Sequence, residues 1–341
     1  MTDQDIPSQI PLVPTYTSNT HSVKPHSVEQ FSTIPNAYIV VFKPETDQET
    51  ALIHYNEIEE IQQGLQRIFW KILFKCNTDY SNVDYIEQDK YVQAASIQKQ
   101  APWGLARISH REELNNLTFD EYIYEKDGGK HVKIYILDTG IYDKHNDFEG
   151  RASFGVNLLN NSSSEGDNGH GTHSAGIIGG NIYGVAKKAK LVSVKTLDED
   201  GTRTVSDAIA GIHWVLKRHT FDVQKSLLNK WRYKEAIIAL NCVTTISFVF
   251  NQAVDEGTHY GISIVVPAGN SGNNACYYSP PSAVGAIKVG ASTYYDTAAQ
   301  FSNYGDCVDL YAPGQNILSA WNSDKSAKYV LSEHRQQQHM L

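Results

Sequence analysis

No apolar run in this 341-residue chain approaches the roughly 20 residues that a membrane-spanning helix needs, so no spanning helix and no membrane contact are expected. Basic residues are scarce as well: 29 Lys and Arg face 38 Asp and Glu, for a formal charge of −9. That balance argues against a nucleic-acid surface and predicts a soluble acidic protein. The four cysteines are Cys76, Cys242, Cys276 and Cys307, and none lies in a motif with a histidine, which argues against a thiol nucleophile. Their pairing is left open by the sequence; Cys276 with Cys307 is one pairing that an oxidising compartment would allow. Residues 1–35 are rich in Ser, Thr, Pro and Gln and lack the apolar core of a secretory signal peptide. On its own, that segment predicts disorder, and either a mis-assigned gene start or a product that stays in the cytosol.

What is present suffices for a core: 41% of residues are hydrophobic, and the length allows two or more domains. The informative stretch is Gly166-Asp167-Asn168-Gly169-His170-Gly171-Thr172-His173-Ser174-Ala175-Gly176. An imidazole flanked by small residues is what a tightly packed helix needs if it begins with a catalytic base. Thirty-two positions earlier, the apolar run Val132 to Leu137 ends in Asp138-Thr139-Gly140. Such a run reads as a buried parallel strand, and open α/β sheets build sites at the carboxyl ends of these strands. A buried carboxylate on one imidazole nitrogen fixes the tautomer and leaves the other nitrogen to accept a hydroxyl proton. Asp138 and His170 are therefore candidate members of a Ser-His-Asp relay.

Two other chemistries fit the same residues less well. Asp-Thr-Gly also marks pepsin-like aspartic proteases, but those need a second copy to supply the paired carboxylate, and the chain has none. His170 and His173 stand at a spacing that suits zinc, yet no third ligand at suitable spacing is apparent.

The order Ile136-Leu137-Asp138-Thr139-Gly140, His170 to Gly176, then Ala268-Gly269-Asn270 resembles the subtilisin-like serine proteases, closest to the proteinase K and fungal vacuolar protease branch. The resemblance spans roughly Tyr38 to Leu331. It implies an α/β fold with a parallel, doubly wound sheet, preceded by a small α/β, ferredoxin-like inhibitory propeptide that blocks the cleft. The alternation of buried strands, such as Leu191 to Lys195, with a helix over Ser206 to Leu216 agrees with such a sheet.

The same resemblance implies a division into a disordered segment (1–35), a propeptide module (36–92), a processing linker (93–100), a peptidase domain (101–332) and an unrelated tail (333–341). Within the module, residues 37–43 and 83–89 read as strands, and 47–74 carries a helical rhythm. The activity implied is endopeptidase hydrolysis of polypeptides by a monomeric zymogen, in a vacuolar or extracellular location. Asn270 would donate to the oxyanion. No cofactor is required, although Asp309 could help hold a structural calcium. Asn116, Asn160 and Asn161 open glycosylation sequons that carry meaning only in a secreted chain.

Two departures stand out. The segment Ala236 to Phe248 follows the helix where the family has Ser-Leu-Gly-Gly as one wall of its substrate groove, and here there is no Gly-Gly. Arg335 occupies the position of the family's nucleophilic serine, 165 residues after His170. Ser332 would fall several ångströms from the base, whereas a working pair needs about 3 Å. The expectation is an inactive chain whose sheet lacks its central helix and keeps cavities in its place. The alternative function is a pseudoprotease, or an inhibitor of related proteases through residues 36–92.

Overall fold

The computed structural model describes residues 33–43, 83–90, 95–159, 166–229 and 235–332. Segment 1–32, the expected helix at 47–74, Cys76, the sequons at Asn160 and Asn161, Arg335 and the tail 333–341 lie outside the described residues. The chain divides into two compact units, Met1–Ala94 and Ala95–Leu341.

The first unit contributes two described strands, β1 (Thr33–Phe42) and β2 (Val83–Lys90). They pair antiparallel with Val40 opposite Ile86, matching the two strands expected at 37–43 and 83–89.

The second unit opens with β3 (Ser96–Gln98), which pairs antiparallel with β4 (Tyr122–Tyr124). The stretch expected to be a processing linker is thus strand from Ser96 onward. Helix α1 (Trp103–Ser109) lies between them.

The core strands follow: β5 (Val132–Asp138), β6 (Ala152–Asn157), β7 (Lys190–Lys195), β8 (Glu235–Leu240), β10 (Ser263–Pro267), β12 (Ile287–Ser292) and β13 (Leu310–Pro313). They form one seven-stranded sheet in the order β13-β12-β10-β8-β5-β7-β6, and every neighbouring pair is parallel. Strands β9 (Thr244–Thr245) and β11 (Tyr278–Ser279) make a short ladder outside it, and β14 (Ile317–Ala320) with β15 (Lys328–Leu331) makes a hairpin.

Both faces of this sheet are covered, which is why β5 is apolar at consecutive positions rather than at alternate ones. Tyr135 and Leu137 join Ile212 and Val215 of α3 (Val205–Asn229) and Val254 of α4 (Phe248–His259) in one core cluster. Ile134 and Ile136 turn the other way and pack with Ala175 of α2 (His170–Gly179), Phe148 and Leu191. Alternate residues of a strand face opposite sides, so this parity identifies the sheet as doubly wound.

Helix α3 runs to Asn229, well past the Leu216 limit read from the apolar spacing. Its first half buries Ala208, Ile212 and Val215, whereas Arg218, half exposed, and Asp222 stand four residues apart and pair at 3.6 Å. Asp222 also binds Lys133 at the start of β5 at 2.5 Å, which ties the polar extension to the sheet.

Chain order around β5 marks the site. The chain proceeds from β5 to β6 and β7 on one side and then crosses to β8 on the other. The carboxyl end of β5 is a switch point, where connections diverge and leave room for a ligand.

Candidate active site

Parity decides which side chain meets α2. Asp138 follows Ile134 and Ile136 in the alternation, so its carboxylate points toward the helix that begins with His170. It is fully buried and accepts four hydrogen bonds. Oδ1 receives the Thr139 backbone N–H at 2.6 Å and the His170 Nδ1–H at 2.7 Å. Oδ2 receives the Asn241 side-chain amide at 3.0 Å and the Ser174 hydroxyl at 3.2 Å. Burial by itself would raise the pKa of this group. The charge of His170, with the hydrogen bonds from His170, Asn241 and Thr139, outweighs burial and holds Asp138 below the usual carboxylate range.

His170 stands at the first position of α2 because two glycines permit it. Gly169 caps the helix at φ 99°, in the left-handed region, against the Trp321 ring. A Cβ on Gly171 would collide with the Gly140 carbonyl, so glycine lets the helix start directly on the turn that follows β5. The Asn168 side chain accepts the His170 N–H at 3.1 Å.

The loop ahead of the helix is held from two directions. Lys195, fully buried at the end of β7, donates to the Thr139 carbonyl at 2.7 Å and to Asp167 at 2.6 Å. Asn322, beyond β14, donates to the Gly166 carbonyl at 2.5 Å and the Asp167 carbonyl at 3.0 Å. One turn along α2, His173 is buried and donates from Nε2 to the Ile317 carbonyl at 3.1 Å, with Trp321 edge-on to its ring. Burial drives its pKa down to about 4, so it is neutral at physiological pH. Its ring is committed to a carbonyl and that of His170 to Asp138, so the pair does not converge on a metal.

Asn270 ends the turn Ala268-Gly269-Asn270 after β10, on the same edge of the sheet as Asp138 and two strands over, about 10 Å between strand axes. Asn303 braces that turn. Its side chain donates to the Ala268 carbonyl at 2.9 Å and accepts the backbone N–H groups of Ser271 and Asn273. The structure therefore joins Asp138 to His170 directly and sets Asn270 on the same rim.

The segment expected to depart from the family keeps its strand. Strand β8 is intact between β5 and β10, and the glycine-free loop after it places Asn241 against Asp138. Cys242 beside it is partly buried, and burial together with the Asp138 charge pushes its thiol up to about 12, which keeps it protonated and unreactive.

A pocket of about 80 Å³ borders His170, lined also by His173, Ser174, Ile177, Pro313, Ile317, Leu331 and Ser332. The Ser332 hydroxyl faces Asn316, donating to its side-chain oxygen at 3.0 Å and accepting its N–H at 2.8 Å. Cys276 and Cys307 form a disulfide.

Asp309, the carboxylate assigned to calcium by resemblance, pairs with Lys288 Nζ at 3.2 Å and accepts the Lys288 N–H at 2.8 Å. Among the described residues there is no cluster of three or more His, Cys, Asp or Glu around it.

Asn241, Ser174, Lys195 and Asn303 escaped the sequence reading. Signals existed for two of them: a lysine ending an apolar strand at Lys195, and a polar residue directly after β8 at Asn241.

Comparison with known proteins places this geometry in context. Residues 129–340 match the Subtilase family. The subtilisin-like serine protease Pen c 2 of Penicillium citrinum is 38% identical over 342 residues, covering 88% of this chain and 74% of that protein. Alkaline protease 2 of Aspergillus fumigatus is 37% identical over 338 residues, covering 88% and 68%. The crystal structure of a cold adapted subtilisin-like serine proteinase superposes with a TM-score of 0.60 at 34% identity, covering 70% of this chain and 80% of that one.

Proposed function

We propose, from the premise that the chain belongs to the subtilase family, that Asp138 and His170 are the acid–base pair of a serine endopeptidase site. The observation that carries this reading is the 2.7 Å bond between a fully buried carboxylate and His170 Nδ1. An imidazole that donates from Nδ1 to a fixed anion presents Nε2 as the proton acceptor for an attacking hydroxyl, and the anion stabilises the imidazolium that results. Asn270, on the same rim, supplies the side-chain amide for the oxyanion, a donor worth about 3 kcal/mol in such sites. The substrate is a polypeptide, laid across the carboxyl ends of β5, β8 and β10. No metal takes part in these steps.

The protein is made as a zymogen, with residues 36–92 as the inhibitory module. Its compartment is oxidising, vacuolar or extracellular, and the Cys276–Cys307 bridge supports this.

The nucleophile is the weak point of the site. Arg335 stands at its position in the sequence, and Ser332 exchanges both of its hydrogen bonds with Asn316. The chain as written therefore does not form an acyl-enzyme. Incubation with a fluorophosphonate probe, which reports an activated serine, is expected to give no labelling; labelling that disappears in His170→Ala would overturn this.

Arg335 also favours a second reading, in which the chain binds rather than cleaves and the 36–92 module restrains related proteases. Added in full length to an active subtilase, the protein should then inhibit at micromolar concentration, and an unchanged rate would remove that role.

A further inference from the structure

Asp138 is a carboxylate with about four lone-pair sites, and all four are filled by identified donors. Two of those donors sit on Oδ1, one of them His170. The two on Oδ2 differ in rigidity. Ser174 belongs to α2 and its hydroxyl rotates about Cβ–Oγ. Asn241 is a planar amide whose backbone N–H is itself bonded to the Leu137 carbonyl at 3.2 Å, extending the β5–β8 ladder one residue beyond the Leu137–Leu240 pair. The amide thus belongs to the strand adjacent to β5, and its donor is fixed relative to the carboxylate.

We propose that Asn241 is a positioning residue for the acid–base pair: its side-chain amide, held by the β5–β8 ladder, fixes the plane of the Asp138 carboxylate so that Oδ1 faces His170 Nδ1. This rests on the reading of Asp138 and His170 as the proton relay. Without that amide, Oδ2 keeps one rotating donor and the carboxylate turns about Cβ–Cγ, which weakens the bond that holds the imidazole. A buried acceptor that loses a donor recovers it by rotating toward another one, and Oδ1 then leaves His170. The glycine-free loop after β8 supplies this donor. The neighbouring thiol of Cys242 stays protonated and adds no charge.

The test uses the full chain with ¹⁵N-labelled histidine, read by NMR at neutral pH, and needs no turnover. In the wild type, His170 should show a slowly exchanging, far-downfield Nδ1 proton and a single tautomer. Asn241→Leu keeps the volume and removes the donor; Asn241→Ser shortens the side chain beyond reach of Oδ2. In either variant the Nδ1 proton should exchange with water about tenfold faster, with a mixed tautomer, while the His173 signals stay in place. A folded variant with wild-type exchange and tautomer at His170 overturns the proposal. So does loss of the fold in both variants, which would make Asn241 structural only. A wild type without a protonated His170 Nδ1 would instead overturn the relay itself.

Discussion

His173 offers a quantitative test of the packing around the site. Its ring is buried between α2 and the β14–β15 hairpin, donates to Ile317, and has its pKa lowered from 6.5 to about 4, chiefly by burial. The folded state thus binds this proton more weakly than the unfolded chain. Below pH 6.5 the unfolded chain takes up the proton first, so stability is present above that pH and is lost as the pH falls toward 4. Between pH 7 and pH 5 the difference in proton binding at this one site amounts to about 2 kcal/mol, a large part of a typical stability of about 5–15 kcal/mol. His173→Gln retains an amide donor for the Ile317 carbonyl and removes the titration. Unfolding free energies from denaturant titrations at pH 7 and pH 5 should show the wild type losing about 2 kcal/mol more than the variant. The variant is less stable at pH 7 because it loses the ring contact with Trp321, so the slope and not the absolute value is the test. Equal slopes within about 0.5 kcal/mol would mean that the ring is hydrated or already charged, and the packing argument would fail.

Other outcomes follow from the same geometry. Lys195→Met should destabilise the second unit by about 3 kcal/mol in chemical denaturation, because Thr139 O and Asp167 lose a buried cation. Replacing Cys276 and Cys307 together by serine opens a loop with a sequence separation of 31 and should cost about 3.5 kcal/mol, read as a lower denaturation midpoint under non-reducing conditions. Gly171→Ala should yield little folded protein, judged by circular dichroism, since its methyl group has no space beside the Gly140 carbonyl.

The fold was legible where one residue pattern had one physical meaning. Ile134 to Leu137 is apolar at every position, and only a strand covered on both faces needs that. The length of α3 was not legible, because apolar spacing marks the packed face and stops at Leu216. The polar turns beyond it are held by Lys133 reaching from β5, a contact between positions 89 residues apart. Nor does composition distinguish a polar linker from a polar strand, and residues 96–98 are strand because β4 is beside them.

The site divides along the same line. Asp138 and His170 were legible because each ends or begins an element, and those ends carry their own signals: an apolar run that stops at an acid, a small-residue helix that starts with an imidazole. What orients the two is spread over four other places. Asn241 follows β8, Ser174 lies one turn into α2, Lys195 ends β7 and Asn322 follows β14. Each is an ordinary polar residue in its local context and acquires meaning only when the sheet order sets β7 and β8 on either side of β5. The proposed acid–base pair is thus a property of two short motifs, whereas its rigidity is a property of the topology. A substitution in the motifs should abolish the Asp138–His170 hydrogen bond, and one in the surrounding residues should loosen it, so the two are separable by whether His170 loses its Nδ1 proton or only exchanges it faster.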